Sequence, residues 1–204
     1  MKILRSIFNS HYLFWLLLAL PGQHLIRDVL WPDLYYPELM YDSGSWSVIF
    51  MIAALALTPL MKLTGNWWPI FWLLQRRRAI GVASFGYAAL HTFYYVRYVG
   101  NLELIILEAV ELELLIGWLA LVLLIVLAAT SNTKSVRKLG RNWKRLQRLS
   151  YLAIGLSLLH WYWIYQFVPE LTYWAAAIAA LQVARVTITK WKSRDSTPTK
   201  TLPQ

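Results

Sequence analysis

Residues 81–96, GVASFGYAALHTFYYV, and residues 152–163, LAIGLSLLHWYW, are two apolar stretches that each carry one histidine. Each stretch lies within a run of about 20 mostly apolar residues, the length that a helix needs to cross the hydrocarbon of a bilayer. A histidine inside such a helix is costly to insert, so an ionisable side chain at that depth indicates a functional site. The two stretches therefore predict a membrane protein with His91 and His160 at its functional centre.

The composition of the whole chain supports a membrane protein. Hydrophobic residues make up 58% of the 204 residues. Charged residues make up 15%, against about 25% in soluble domains. The sequence contains no cysteine, which excludes disulfides, thiolate metal sites and iron–sulfur clusters. It also contains no phosphate-binding glycine loop and no nicotinamide fingerprint, so no nucleotide-binding module is predicted.

Six helical spans are predicted, with soft boundaries. They cover residues 11–30, 46–62, 79–98, 113–130, 149–168 and 171–189. A kink is expected near Pro21, and carboxylates before Leu114 should keep the preceding stretch at the membrane surface. The tryptophan–proline stretches at 31–32 and 67–69 are expected to be interfacial loops. The predicted fold is an all-α, six-helix transmembrane bundle over residues 1–192, with a disordered cytoplasmic tail over 193–204.

The distribution of positive charge predicts the orientation of this bundle. The chain has 20 Lys and Arg against 10 Asp and Glu, a net charge of +10. In the six-span arrangement 18 of the 20 cations lie on one side, and only Arg27 and Arg97 lie on the other. Both termini are therefore expected in the cytoplasm, with the cations near anionic lipid head groups. Nucleic-acid binding explains the charge poorly, because the cations are spread over several juxtamembrane loops.

His91 and His160 are predicted to lie at matched depth. Their helices run in the same direction, and the histidines lie roughly 20 Å and 18 Å from the cytoplasmic ends. In a hydrocarbon layer about 30 Å thick, both fall in the outer half. Small residues that would allow close approach lie nearby: Gly86, Ala88, Ala89, Gly155 and Ser157. A haem iron with two axial histidines fits this arrangement, and such a site transfers electrons and leaves no open position for oxygen.

Other interpretations of the histidines remain open. Either one could be a polar contact between helices, bonded to a serine or a backbone carbonyl. His24 is a rival ligand at a similar depth, whereas His11 is expected to be exposed. Tyr94 is expected to pack as an aromatic side chain, as is its neighbour at position 95. A zinc site lacks further ligands, and a transporter would more often show a charged midplane site, but a haem-free scaffold or transporter remains the alternative.

Four stretches of the chain carry a family resemblance. They are ALTPLMKL (56–63), RRRAIGVASFGYAALHTFYY (76–95), LAATSNTKSVRKLGRNWKRLQRLSYL (127–152) and LLHWYW (158–163). The chain resembles the MsrQ (YedZ) family, within the ferric-reductase-like transmembrane superfamily. The resemblance implies a b-type cytochrome of the bacterial inner membrane with His91 and His160 as haem ligands. It also implies electron transfer from the quinone pool or a cytoplasmic-side donor to MsrP, a periplasmic molybdenum-dependent methionine sulfoxide reductase, and for some members flavin mononucleotide (FMN).

One position departs from the pattern of that family. Its members usually have a further histidine thirteen residues before the last one, and here that position is Gln147. Glutamine is not a usual haem ligand, so the departure predicts one haem b per chain. Any inner haem or flavin site that the missing histidine supports would be lost. A divergent ferric-reductase-like protein with another acceptor is the corresponding alternative.

Overall fold

The computed structural model describes residues 10–25, 35–65 and 67–165, and scattered positions between 173 and 187. Nine α-helices have defined bounds between residues 11 and 165, and a 3₁₀ turn at Leu20–Gly22 follows the first. Residues 23–25 and the scattered positions are helical as well. The helices are α1 (His11–Ala19), α2 (Tyr36–Leu63), α3 (Trp68–Gln75), α4 (Arg77–Val99), α5 (Leu102–Glu108), α6 (Leu112–Ala129), α7 (Thr133–Leu139), α8 (Arg141–Gln147) and α9 (Leu149–Tyr165). The all-α class is confirmed for the described part of the chain.

Helices α4, α6 and α9 begin within two residues of the predicted spans, but α2 begins ten residues before the predicted start at residue 46. The predicted start was wrong, and the residues before position 46 that belong to the helix include several polar ones. Ser43 and Ser45 instead donate to carbonyl oxygens of their own helix at 2.6 Å and 2.7 Å. Asp42 pairs with His24, whose Nε2 lies 3.2 Å from a carboxylate oxygen of Asp42. The two hydroxyls are thus satisfied within the helix and the carboxylate by a neighbouring segment, so these polar residues fit a helix.

The first and last predicted spans are described in part. The first span is interrupted near Pro21, where a kink was expected. Helix α1 ends at Ala19, and the following 3₁₀ turn contains Pro21. Residues 26–30 of that span lie outside the described residues, as do Trp31 and Pro32. The sixth predicted span is described only at scattered positions, which are helical. The predicted tail over residues 193–204 also lies outside the described residues.

Two predicted loops contain helices. The tryptophan–proline stretch at 67–69 was expected to be a loop, but α3 begins at Trp68. Proline in the first turn suits a helix start, because its nitrogen lacks a hydrogen that would go unbonded there. The basic segment after α6 forms α7 and α8, and the side chain of Asn132 caps α7 by accepting from the Ser135 amide at 2.8 Å. Gly140, with φ of +50°, joins the two helices.

Two helix pairs form most of the bundle. Helix α2 packs mainly on α4, and α6 packs mainly on α9. The pairs meet in a core that includes Met51 and Leu55 of α2, Leu124 of α6 and Ile154 of α9. In the described part of the chain, α2 and α6 are the two helices long and apolar enough to cross a membrane. The two histidine-bearing helices, α4 and α9, each pack against one of them.

A reciprocal hydrogen-bond pair fixes the position of α4 against α2. The Ser47 hydroxyl donates to the Ser84 carbonyl at 2.9 Å, and the Ser84 hydroxyl donates to the Ser47 carbonyl at 2.8 Å. Both serines are buried. Serine hydrogen bonds between helices of this kind stabilise membrane bundles where no water competes for them. The pair lies two helical turns before His91 and therefore fixes which face of α4 that histidine shares with α2.

Candidate functional site

The fold brings the imidazoles of His91 on α4 and His160 on α9 close together. Their ring centres lie 6.2 Å apart, and their ring planes are inclined at 84°. The two residues are 69 positions apart in the sequence, so only the packing of the helix pairs makes them neighbours. The matched depth predicted from the sequence thus agrees with an actual pairing of the side chains.

Each imidazole is held by a backbone carbonyl of the helix that packs against it. His91 Nδ1 lies 2.8 Å from the carbonyl oxygen of Met40 on α2. His160 Nδ1 lies 2.7 Å from the carbonyl oxygen of Glu113 on α6. A carbonyl oxygen can only accept, so Nδ1 carries the proton in both rings. In a neutral imidazole Nε2 then has a free lone pair, which is the form that binds a metal.

A glycine faces each of these rings. A Cβ atom on Gly44 would lie 3.0 Å from His91 Nδ1. A Cβ atom on Gly117 would lie 2.8 Å from both Cε1 and Nδ1 of His160. Carbon atoms in contact are normally about 3.5–4.0 Å apart, so any side chain at these two positions would displace the imidazoles.

The same pair of features, a carbonyl acceptor and a glycine that faces the ring, therefore occurs on both α2 and α6. On α2 the accepting carbonyl of Met40 lies four residues before Gly44, and on α6 that of Glu113 lies four residues before Gly117. Four residues are close to one helical turn, so carbonyl and glycine lie one above the other on the same face. The carbonyl sets the orientation of the ring, and the glycine lets the ring come close enough to reach it.

The two rings line a cavity of about 330 Å³ between α2, α4, α6 and α9. Much of its wall is apolar or aromatic, including Leu124, Trp118 and Trp161. Ala88 and Ser157, two of the small residues predicted near the site, also line it. No Cβ contact would form at Gly86 or Gly155 within 4 Å, so these two glycines are not the ones that allow close approach. That role belongs to glycines on the facing helices.

The separation of the rings fits a metal ion held between them. The Nε2 atom lies about 1.1 Å from the centre of an imidazole, and a bond from imidazole nitrogen to a first-row metal is about 2.0–2.1 Å. Two rings that bound one ion through Nε2 from opposite sides would thus have centres roughly 6.2–6.4 Å apart, a range that includes the observed 6.2 Å. A contact between two helices would require neither this spacing nor two rings that converge on one cavity.

A tyrosine and a carboxylate close the end of the cavity near α5. The Tyr95 hydroxyl donates to a carboxylate oxygen of Glu108 at 2.8 Å, and both residues line the cavity. Tyr94, the neighbouring residue, is fully buried and donates to the Leu25 carbonyl at 3.2 Å. The expected aromatic packing is confirmed for both tyrosines, since Tyr94 lies 5.7 Å from the Phe93 ring centre and Tyr95 lies 6.3 Å from that of Trp118. In addition, each hydroxyl bonds to another segment of the chain.

The other two histidines lie elsewhere. His24, the rival ligand, is half-exposed and pairs with Asp42, and it does not line the cavity. His11 is exposed at the start of α1, as expected. Within the described residues no three His, Cys, Asp or Glu side chains form a group that could hold a metal ion. A zinc site with three protein ligands therefore has no support in this part of the chain.

Gln147, which replaces the expected third histidine, lies at the opposite end of the bundle. Its side-chain amide donates to the Leu127 carbonyl at 3.3 Å and to the Thr130 hydroxyl at 3.2 Å. These bonds join the end of α8 to the end of α6. Gln147 therefore acts as a connection between helices in this structure.

Sequence reasoning missed Gly44, Gly117 and the two carbonyl acceptors. A glycine inside a helix costs about 1 kcal/mol relative to alanine, so an isolated one suggests a packing reason. Gly117 could have been recognised in this way, because it lies inside the fourth predicted span. Gly44 could not, because the second span was predicted to begin only at residue 46. The carbonyl acceptors carry no residue-type signal at all.

Comparison with known proteins gives the family of this chain. A family model described as ferric reductase like transmembrane component matches residues 43–158. The chain belongs to this family. The match covers His91 and ends two residues before His160. Membership of a transmembrane family, together with the two long apolar helices, identifies the ferric-reductase-like chain as a membrane protein.

Curated relatives of this ferric-reductase-like protein share one name. Proteins from Brucella ovis, Brucella canis and Brucella suis are each called protein-methionine-sulfoxide reductase heme-binding subunit MsrQ. Each is 42% identical to this chain over 147 residues, which cover 70% of the chain and 64% of the relative. The chain thus spans a little under two thirds of the length of these relatives. The resemblance predicted from the motifs is confirmed, and no solved structure matches the chain.

Proposed function

We propose that this protein is a haem-binding electron-transfer subunit of the bacterial inner membrane, in which His91 and His160 hold one haem b. The observation that carries the proposal is the ring pair at 6.2 Å, with each Nδ1 bonded to a backbone carbonyl. The name of the relatives, a heme-binding subunit, supports the cofactor. The absence of a third protein ligand near the rings, within the described residues, supports haem over zinc.

When bound, a haem with two histidine ligands supplies a one-electron redox couple and leaves no open position for oxygen. The residues of the chain prepare the site for this role. The carbonyls of Met40 and Glu113 hold both rings in the tautomer with a free Nε2 and make them more basic ligands. The apolar and aromatic walls of the cavity limit the access of water. Rings held in this way need little rearrangement when the charge of the site changes by one electron.

The donor and acceptor follow from the proposed topology. Six spans with both termini in the cytoplasm place the histidine pair in the outer half of the membrane, which suits a periplasmic acceptor. The relatives' name supports a methionine sulfoxide reductase as that acceptor, and we propose the MsrP type, a periplasmic molybdoenzyme. Electrons would come from the quinone pool or from a donor on the cytoplasmic side. The chain is then one subunit of an oxidoreductase system rather than a complete enzyme.

The proposal contains one haem per chain and leaves FMN open as a further cofactor. The position where relatives usually carry a further histidine is Gln147, and its amide is engaged with α6. A primary amide has no imidazole lone pair to offer to iron. The inner end of the bundle therefore lacks the ligand that a second haem would require.

The decisive experiment is optical spectroscopy of the purified full chain. We expect a low-spin haem b in the reduced-minus-oxidised spectrum. His91→Ala and His160→Ala should each abolish this spectrum. His24→Ala is the matched control, because His24 lies outside the cavity, and it should leave the spectrum unchanged.

Three results would contradict all or part of the proposal. A folded protein that binds no haem under haem-replete expression would favour a haem-free scaffold or transporter. A spectrum that survives His91→Ala but disappears with His24→Ala would show that the first helix supplies a ligand. If haem binds as expected but a reduced sample is not reoxidised by an MsrP-type partner with methionine sulfoxide, the acceptor is another protein.

A further inference from the structure

A second cavity, of about 370 Å³, lies at the end of the bundle opposite the histidine pair. Four cationic side chains line it: Arg77, Arg78, Lys144 and Arg148. They come from the start of α4 and from the segment around α8, so the fold gathers charges that are separate in the sequence. None of the described residues that line this cavity is acidic. The cavity is therefore a concentration of positive charge at the end of the bundle that the proposed topology places in the cytoplasm.

Contacts within the protein hold two of these cations in place. The guanidinium carbon of Arg78 lies 5.0 Å from the ring centre of Trp143, a cation–π contact. Arg77 donates from Nη1 to the Thr58 hydroxyl at 3.4 Å. A cation–π contact leaves the charge of Arg78 in place, so Arg78, Lys144 and Arg148 repel one another across the cavity. A bound anion would remove this repulsion, and its attraction to several cations at once would stabilise the complex.

The floor of the cavity is apolar. Leu55, Leu124 and Leu127 are 1%, 5% and 7% exposed and lie beneath the charged mouth. A small inorganic anion would contact only the mouth and leave this floor uncovered. A molecule with an anionic head and an apolar body would use both parts of the cavity. Basic pockets between membrane helices on the cytoplasmic side bind the head groups of anionic lipids in this way.

We propose that this basic cavity binds an anionic phospholipid of the cytoplasmic leaflet, with the phosphate between the cations and an acyl chain over the apolar floor. The surrounding bilayer presents such lipids to the cavity at high local concentration, whereas a soluble phosphate compound would have to enter from dilute solution. The bound lipid would join α4, α8 and α9. It would stabilise the inner end of the bundle, where Gln147 takes the place of a third histidine.

The test is lipid retention by the purified full chain, measured by native mass spectrometry. Phosphatidylglycerol and phosphatidylcholine with the same acyl chains are supplied in turn, and we expect retention of phosphatidylglycerol only. Each cation removed near a membrane surface weakens such binding about fivefold, so Lys144→Gln with Arg148→Gln should weaken it roughly 25-fold. The matched control is Arg137→Gln with Lys138→Gln, which removes two exposed cations of α7 outside the cavity. The control should change retention less than twofold.

Other outcomes separate the sources of phosphate. Equal retention of the two lipids, or an equal loss in cavity and control variants, would refute the proposal. Binding of FMN or inorganic phosphate at micromolar concentration without selective retention of phosphatidylglycerol would assign the cavity to a soluble ligand instead. If the cavity variant does not fold, the comparison of phosphatidylglycerol with phosphatidylcholine on the unmodified protein still tests the proposal. The test makes no use of haem, so its result is independent of the proposed function.

Discussion

Gly117→Ala is the sharpest test of how the site is built. The new Cβ atom would lie 2.8 Å from Cε1 and Nδ1 of His160, about 0.7–1.2 Å closer than an ordinary carbon contact. The ring must retreat by a similar distance, which takes Nδ1 away from the Glu113 carbonyl. The distance from Nδ1 to that carbonyl oxygen is 2.7 Å. A retreat of this size would lengthen it beyond roughly 3.2 Å, the limit of a good N–H···O bond.

Two opposing terms decide the effect of Gly117→Ala on the free energy of unfolding. Overpacking of a filled site costs about 1–3 kcal/mol, while replacing glycine by alanine within a helix gains about 1 kcal/mol. The net effect on the free energy of unfolding is a loss of roughly 0–2 kcal/mol. We also expect loss or splitting of the low-spin haem signal, since the orientation of the axial ligand changes. Gly44→Ala should act in the same direction but less strongly, because its Cβ would lie 3.0 Å from the His91 ring.

The assay combines electron paramagnetic resonance of the oxidised haem with thermal unfolding. Gly155→Ala is the matched control on α9, since its Cβ would contact nothing within 4 Å. It should leave the haem signal unchanged and keep the helix-propensity gain of up to about 1 kcal/mol. If Gly117→Ala keeps an unaltered low-spin signal, or if Gly155→Ala disturbs the signal as much, the carbonyl–glycine explanation of ligand orientation is wrong.

Two further predictions concern topology and haem content. A reporter fused after Gln204 should be active only in the cytoplasm, because 18 of the 20 cations lie on one side of the six-span arrangement. Activity in the periplasm would contradict the predicted depth of His91 and His160 in the membrane. A pyridine haemochrome assay should give about one haem per chain, and Gln147→Ala should leave the haem spectrum unchanged while it lowers stability by about 1 kcal/mol through the loss of its bonds to α6. Two haems per chain would show that the glutamine at position 147 does not prevent binding of a second haem.

The elements that the sequence predicted best are those that depend on position along a single helix. The starts of α4, α6 and α9 were placed within two residues, because each follows a charged or polar segment and opens a long apolar run. The start of α2 was placed ten residues late. Its first turns are polar, and their side chains are satisfied only by the carbonyls of α2 itself and by His24, which approaches from another segment.

A depth for His91 and His160 could be predicted from the sequence, because the helix rise and the bilayer thickness are fixed lengths along one axis. The rotation of each helix about that axis could not be predicted from the sequence. It depends on packing between helices, such as the Ser47–Ser84 hydrogen bonds, and it decides which backbone carbonyls and which glycines face the rings. Every residue has a carbonyl, so the sequence does not mark those of Met40 and Glu113. Only the tertiary structure turns two of them into the groups that orient the histidines.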